Sequence, residues 1–487
     1  MSSVPVTRLP VRLTPDPRRL TTKPFLSVDD VPAGGANRVT QLIGRILELS
    51  DDDVTATLEE LRQDFRQRHP DIDAVFERGF LTVAHSVPDA ADLPDDRRRL
   101  IGAYFMHEYS LEGAALTNPS IVADPDQSGA PDGSLRVIVS FRSIGEGHVS
   151  SIEFRTGLVG KSGDITIEPP GVPTTGHRHS PIFDKQMFTA KLAEMGATND
   201  LALQTLAALE DRFTITDLDG ALADLSGREG SSNAVHHVTQ VMQWLASSNY
   251  EVTFPQESEL SQRVLFPNGP TESRGMEDAR FVRFVATDGS IVYYAPYTAY
   301  DGFNILPQLI ETTDFRTFRI ATLNGPAAAN KGIAIFPRLI AGRYAALGRC
   351  DGENNYLMLS DHIRFWHDAE RIQVPTRPWE LMQIGNAGAP LETEAGWLVI
   401  THGVGPMRRY ALGAILLDID DPSQVLGHLR EPFLVPNEQE RDGYVPNVVY
   451  SCGSIIHSNR LVIAYGASDT SSSFATVPVD ALLAELT

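Results

Sequence analysis

The spacing of hydrophobic positions changes along the chain, and the changes divide it. Residues 1–35 hold scattered prolines and no helical period, so they read as an extended N-terminal arm. The pattern turns helical near Asn37, in NRVTQLIGRILEL. The next stretch, SDDDVTATLEELRQDF, opens with Ser50 three residues before Asp53, a capping-box spacing with Asp in place of Glu or Gln. Val54, Leu58, Leu61 and Phe65 then fall on one helical face. Val75, Phe76 and Phe80 continue the pattern, as do Leu100, Ile101, Tyr104 and Phe105, so residues 36–110 are expected to form a helical region.

From Leu116 the period moves towards two, and LRVIVSFRSI and HVSSIEFRTGLV predict strands. Residues 183–247 return to a helical period in KQMFTAKLAEM and AVHHVTQVMQWLA, as a helical insertion in a β domain would. Beyond it, four stretches repeat one design: ARFVRFVATDGSIVYYAPYTAYDG, AIFPRLIAGRYAALGRCDGEN, AGAPLETEAGWLVITHGV and CGSIIHSNRLVIAYGASDT. Each has a short apolar strand, a turn with Gly or Asn, a second apolar strand and a polar end. They recur roughly every 50–65 residues, within reach of propeller-blade periods. A blade cannot bury both sheet faces alone, so blades stack around an axis. Residues 112–165 supply a fifth. The chain is therefore expected to be mainly β, with residues 111–487 forming a five-bladed β-propeller; a β-sandwich of similar hairpins would give much the same pattern.

Composition narrows the possible partners. Hydrophobic content of 42% and charged content of 21% are ordinary globular values, so a well-buried core is expected over the 487 residues. A net charge of −22 repels polyanions, which argues against nucleic acid and anionic membrane as partners. A small anion needs a local cluster of cations to overcome that sign. Cys350 and Cys452 are too few for a disulfide scaffold or a cysteine zinc site. With no apolar signal core at the start and no apolar run of membrane-spanning length, the expected location is the cytoplasm. The arm and helices offer docking surfaces for a homo-oligomer.

The polar residues after each second strand are the candidate chemistry, since a propeller gathers such positions at one mouth. They are Arg142 and Glu146, then Asp301, then Arg349 and Glu353, then His402 with Arg408 and Arg409, and finally Asp469. Asp278 and Lys331 precede their units. Glu277 and Asp278 lie between Arg274 and Arg280, a pattern that suits either a loop clamped by ion pairs or a proton donor at a cleft. His177 and His179, like His236 and His237, lack a Cys or carboxylate at supporting spacing, so no metal is expected. Trp379, beside Pro378, is a candidate for stacking on a sugar, whereas Met276 and Trp366 read as core.

The segment RGMEDARF resembles the Gly-x-Glu-Asp-Pro-Arg motif of glycoside hydrolase family 130, the mannoside phosphorylases and β-mannosidases. YTAYDG, KGIAIFPRL followed by Gly348-Arg349, IGNAGAPLETEAGWLVITHGV, GAILLDIDDPSQVL, YVPNVVYSCG and YGASDT are similar to further pieces of that family, in the same order. The resemblance spans roughly residues 112–480 outside the insertion. It implies a five-bladed propeller and inverting chemistry on β-mannosides. It implies Asp278 as general acid, acting directly or through a sugar hydroxyl, and Lys331, Arg349 and His402 as phosphate-holding residues. Asn118, Arg142, Arg280, Asp301 and Asp469 are the sugar-side candidates. Two positions depart from the family pattern. Ala279 stands where Pro is usual, and Gln383 stands where phosphorylases commonly have Lys, a lost phosphate contact for which Arg408 or Arg409 is the nearest substitute.

An inverting hydrolase needs a second carboxylate to activate water. A phosphorylase needs instead cations and donors for phosphate, itself an anionic nucleophile. Lys331, Arg349 and His402 suit the second case and supply the cation cluster that the net charge demands. Glu353 keeps a β-mannosidase in view as the base it would require, and a non-catalytic carbohydrate-binding propeller is the rival from another class. The expectation is phosphorolysis of a terminal β-mannoside to α-mannose 1-phosphate, with inorganic phosphate as co-substrate and no cofactor.

Overall fold

The computed structural model describes residues 3–25, 38–230 and 232–486. The chain forms two compact units, Pro17–Leu111 and the pair of segments Met1–Asp16 and Glu112–Thr487. The expected arm, residues 1–35, is thus divided between them. Thr7–Leu13 is a strand of the larger unit and Leu20–Pro24 a strand of the smaller. Residues 26–35 of the arm, with residues 36 and 37, lie outside the described residues.

The smaller unit holds helices Arg38–Leu47, Asp51–Phe65, Ile72–Val83 and Asp95–Tyr104, then strand Met106–Ser110 paired antiparallel with Leu20–Pro24. Its core is the apolar stripe expected from the helical period, with Val54, Leu58, Val75, Phe76, Phe80, Leu100 and Ile101 buried. The Ser50 hydroxyl accepts from the Asp53 amide at 3.1 Å, and Asp53 turns its carboxylate back onto that hydroxyl at 2.6 Å.

The larger unit contains five antiparallel meanders. The first is Ala115–Ala123, Leu135–Ile144, Ser150–Val159 and Ile165–Ile167. The second runs from Gly275–Glu277 and Val282–Val285 through Ile291–Tyr300, Ile305–Thr312 and Thr317–Thr322, with Tyr250–Thr253 at its far side. The third is Ala334–Ile335, Tyr344–Gly348, Asn355–Ser360 and Ala369–Gln373. The fourth is Gln383–Asn386 with Leu391–Thr393, then Gly396–Gly405, Arg409–Leu417 and Val425–His428. The fifth is Val449–His457, Arg460–Ala467 and Ser471–Pro478, completed by Thr7–Leu13 on its outer edge. Leu9, Val11 and Leu13 alternate onto a core in that edge strand, and Pro10 is tolerated where the register shifts between Arg8 and Arg12.

Each meander shares a core with the next. Phe154 of the first packs with Phe281 and Phe318 of the second, and Phe284 of the second stacks with Tyr344 of the third. Phe336 of the third packs edge-on against Trp397 of the fourth, and Leu412 of the fourth shares a core with Ile463 of the fifth. Phe474 of the fifth then packs with Val139 and Phe141 of the first. The Leu116 amide donates to the Thr470 carbonyl at 3.0 Å, and the Ser472 hydroxyl to the Leu116 carbonyl at 2.9 Å, across the same junction. Sheet faces that a single meander leaves apolar are buried in this way, the main stabilising term available to such units.

Between the first and second meanders lie helices Lys185–Glu194, Asp200–Ala207, Ile215–Glu229 and Asn233–Ser247, which carry an apolar core of their own. No helix among the described residues is long and apolar enough to cross a membrane.

Candidate functional site

The five meanders bring their polar ends to one cleft of about 310 Å³, into which all five send side chains. Asn118 and Arg142 come from the first, Glu277 and Asp278 from the second, Lys331 and Arg349 from the third, Gln383, His402, Arg408 and Tyr410 from the fourth, and Tyr450 and Asp469 from the fifth.

Asp278 is held from one side. The Asn118 amide donates to Asp278 Oδ1 at 2.5 Å, and the Thr117 hydroxyl fixes that amide by donating to Asn118 Oδ1 at 3.1 Å. Arg142 stands 4.0 Å from the same Oδ1. These contacts all fall on Oδ1 and leave Oδ2 without a side-chain partner among the described residues. Glu277, by contrast, is fully engaged, with Arg142 on Oε1 at 2.7 Å and Lys331 on Oε2 at 2.8 Å.

The backbone around these groups sits in unusual conformations. Asn118 (φ 48°), Asp278 (φ 55°), Asn330 (φ 64°), Arg408 (φ 53°) and Asp469 (φ 49°) all line the cleft in the left-handed region. Asn and Asp tolerate that region best among residues with a Cβ, and strained backbone gathers at functional sites.

A buried polar floor holds the fourth meander to the second. The Asn386 carbonyl accepts from both Arg280 Nη1 and His402 Nδ1, each at 3.0 Å. The Asn386 amide donates to the Gly332 carbonyl at 2.7 Å, tying down the loop that carries Lys331. Arg280 also donates to the Tyr450 hydroxyl at 2.5 Å. A carbonyl can only accept, so His402 carries its hydrogen on Nδ1 and presents a lone pair on Nε2. That lone pair faces Arg349 Nη1 at 3.2 Å. Burial, reinforced by the charges of Arg349 and Arg280, pushes the His402 imidazole well below its ordinary pKa. His402 is therefore a neutral acceptor that aims Arg349, and the cations facing the cleft are Arg349, Lys331, Arg142 and Arg408.

Residues 235–486 match the glycoside hydrolase 130 family model, described as β-1,4-mannooligosaccharide phosphorylase. The chain belongs to glycoside hydrolase family 130. It is 34% identical over 218 residues to the 1,2-β-oligomannan phosphorylase of Thermoanaerobacter sp. (strain X514), a match spanning 43% of this chain and 71% of that one. It is 31% identical over 230 residues to the β-1,2-mannobiose phosphorylase of Listeria innocua, spanning 46% of this chain and 63% of that one. The solved structure of a β-1,2-mannobiose phosphorylase from Listeria innocua, in complex with β-1,2-mannobiose, aligns with a TM-score of 0.45 at 20% identity, over 78% of this chain and 93% of that one.

In this family 130 chain the match takes in Asp278, Lys331, Arg349, His402 and Asp469, whereas Asn118 and Arg142 precede it. Asp469 lines the cleft near Asp278. Burial and the Asp278 charge raise the Asp469 pKa to about 6, against the pull of Arg142 and Arg408. Gln383 also lines the cleft, its amide donating to the Tyr410 hydroxyl at 3.4 Å. Of its two nearest substitutes as a phosphate contact, Arg408 faces the cleft and Arg409 lines a different cavity.

Two sugar-side candidates lie off the cleft lining. Arg280 is 1% exposed and belongs to the floor beneath it. Asp301 caps its own turn, accepting from the amides of Phe303 at 2.8 Å and Asn304 at 2.6 Å. Glu353, the candidate base for hydrolysis, sits in the exposed turn after Arg349, where its amide donates to Asp351 at 2.9 Å. Asn386, Tyr410 and Tyr450 were not singled out from the sequence, although each falls in or beside a quoted family segment. Asn386 is fully buried inside strand Gln383–Asn386, where its role comes from partners distant in the chain. Among the described residues no three His, Cys, Asp or Glu side chains cluster as metal ligands.

Proposed function

We propose that this family 130 protein is an inverting β-mannoside phosphorylase with Asp278 as general acid. The observation that carries the reading is the composition of the cleft, where the Arg349, Lys331 and Arg408 cations share one cavity with a carboxylate that has one oxygen left unbound. Inorganic phosphate sits among those cations, with Arg349 oriented by neutral His402. A phosphate oxygen attacks C1 of a terminal β-linked mannose as the glycosidic C1–O bond breaks. The proton of Asp278 passes to the leaving oxygen, directly or through a sugar hydroxyl. The products are α-mannose 1-phosphate and an acceptor shorter by one unit.

Lys331 pairs with Glu277 and its side chain stays more than a third exposed, so it can turn to an incoming anion. Asn118, Arg142 and Asp469 bound the mannose side in this reading, while Arg280 acts by holding the floor. The five meanders are read as blades of a five-bladed propeller, supported by the sequence of cores that leads from the fifth back to the first. Glu353 is not among the residues that line the cleft, which favours phosphorolysis over hydrolysis with Glu353 as base.

The test is product analysis on β-1,2- and β-1,4-mannobiose with and without phosphate. The expected result is mannose 1-phosphate that requires phosphate. Free mannose released at one rate in both conditions would overturn the reading.

A further inference from the structure

A second cavity, of about 490 Å³, shares the hairpin tip of the fourth meander with the cleft. Arg408 and Tyr410 of this tip line the cleft, while Gly405, Pro406 and Arg409 line the second cavity. Within strand Arg409–Leu417 the alternation of side chains sends Arg409 and Ala411 to the second cavity and Tyr410 to the cleft. Met407, at the tip between them, is 90% exposed.

Trp379 lines this second cavity and is seated with unusual closeness to the backbone. A Cβ on Gly403 would stand 2.4 Å from Trp379 Cζ3, and one on Gly413 would stand 2.6 Å from Cη2. Two glycines on neighbouring strands thus form the bed of one indole. Glycine inside a strand weakens it and marks a place where another group must approach. The indole N–H donates to the Arg430 carbonyl at 3.3 Å, which fixes the ring's rotation. What remains of the ring lines a cavity whose other walls include Phe433, Pro432, Arg409 and Glu431. Arg409 and Glu431 are exposed at its edge and supply donors and acceptors.

A rigid aromatic surface with a few polar groups at its margin is the composition that recognises a sugar ring, which has an apolar face and a polar periphery. We propose that the Trp379 cavity is a distal subsite that binds one hexose unit of a longer β-mannoside chain whose terminal unit occupies the cleft. The proposal rests on the β-mannoside reading of the cleft. Neither Trp379 nor Arg409 lines the cleft, so the subsite governs chain-length preference and leaves the bond-breaking step alone.

The experiment compares wild type, Trp379→Leu and Arg409→Ala on β-mannooligosaccharides of two to five units, in both linkage series, following mannose 1-phosphate. The expected result is kcat/KM on the disaccharide within about twofold of wild type, and a loss of about fivefold on the longer chains carried by KM. An equal loss at every length, or none at any length, overturns the subsite. Arg409→Ala removes an exposed side chain and keeps the test sound if Trp379→Leu disturbs the strands beneath it. Calorimetric titration of the longest chain into wild type and both variants separates the two proposals. Absence of phosphorolysis by wild type defeats the phosphorylase reading, while equal affinity in all three proteins defeats the subsite on its own.

Discussion

The helical insertion and the cleft obey opposite local rules. In the insertion each helix begins on a residue suited to the task. Asp184, Asn199, Thr214 and Ser232 accept from the amides of Met187, Ala202, Asp217 and Val235. Its core is apolar, built on Phe183, Phe188, Phe213, Leu218, Leu222 and Met242. In the cleft, five lining residues other than glycine take left-handed backbone, and several charged groups share partial burial. One region is stable by local consistency. The other is held in place by its neighbours, at positions that local preference would not choose. Departures of this kind are expected where function competes with stability.

The contrast breaks most visibly at Asp278. Asp278→Asn keeps a residue that tolerates the left-handed backbone, so melting should barely move. Loss of the transferable proton should lower turnover by roughly 10³-fold, within the range of general acid catalysis. Activity near wild type would sink the assignment of the acid. Arg349→Leu comes next. It removes the proposed charge-assisted contacts to phosphate, and an increase of about 30-fold in KM for phosphate is expected. It also removes a positive charge from beside His402, so the imidazole should titrate closer to its ordinary value, which nuclear magnetic resonance can follow. An unchanged KM for phosphate would place the anion elsewhere.

What the sequence disclosed divides along the same line. That Asp278, Lys331, Arg349 and Asp469 line one cleft was legible because each stands in a short contiguous segment at a strand end that resembles the family's. The insertion was legible because its helical period is local. The role of Asn386 was not, because its carbonyl serves Arg280, 106 residues earlier in the chain, as well as His402. Nor was the neutrality of His402, which depends on burial between two arginines contributed by different meanders. The edge strand Thr7–Leu13 was hidden by Pro10, which breaks a central strand and is tolerated at an edge.

Asp469 offers a smaller effect with a sign that can be checked. Its folded pKa of about 6 lies above the ordinary 3.8, so the fold favours the protonated form. The associated stability is full below about pH 4 and is lost as pH rises through about 6. Asp469→Asn removes that loss. Relative to wild type, the variant should gain on the order of 1 kcal/mol near pH 8 and little near pH 4, while turnover should fall with loss of the proposed sugar contact. Denaturant titrations at the two pH values make the comparison. A wild-type-minus-variant difference that does not change with pH would show that Asp469 is not titrating in this window.

The smallest effect on activity is expected in the insertion. Thr214 caps helix Ile215–Glu229 in a complete box: its hydroxyl accepts from the Asp217 amide at 3.2 Å, and the Asp217 carboxylate accepts from the Thr214 amide at 2.8 Å. Thr214→Ala leaves the Asp217 amide without its partner and should cost about 1 kcal/mol. The loss should appear in denaturant unfolding of the insertion, because its core is separate from those the meanders share. Thr214 is not among the residues lining the cleft, so kcat and both KM values should stay within about twofold of wild type. A stability loss without a kinetic change would separate the locally consistent region from the strained one. A kinetic loss as large as that of Arg349→Leu would instead mean that the insertion acts on the cleft, and that the two regions are not governed independently.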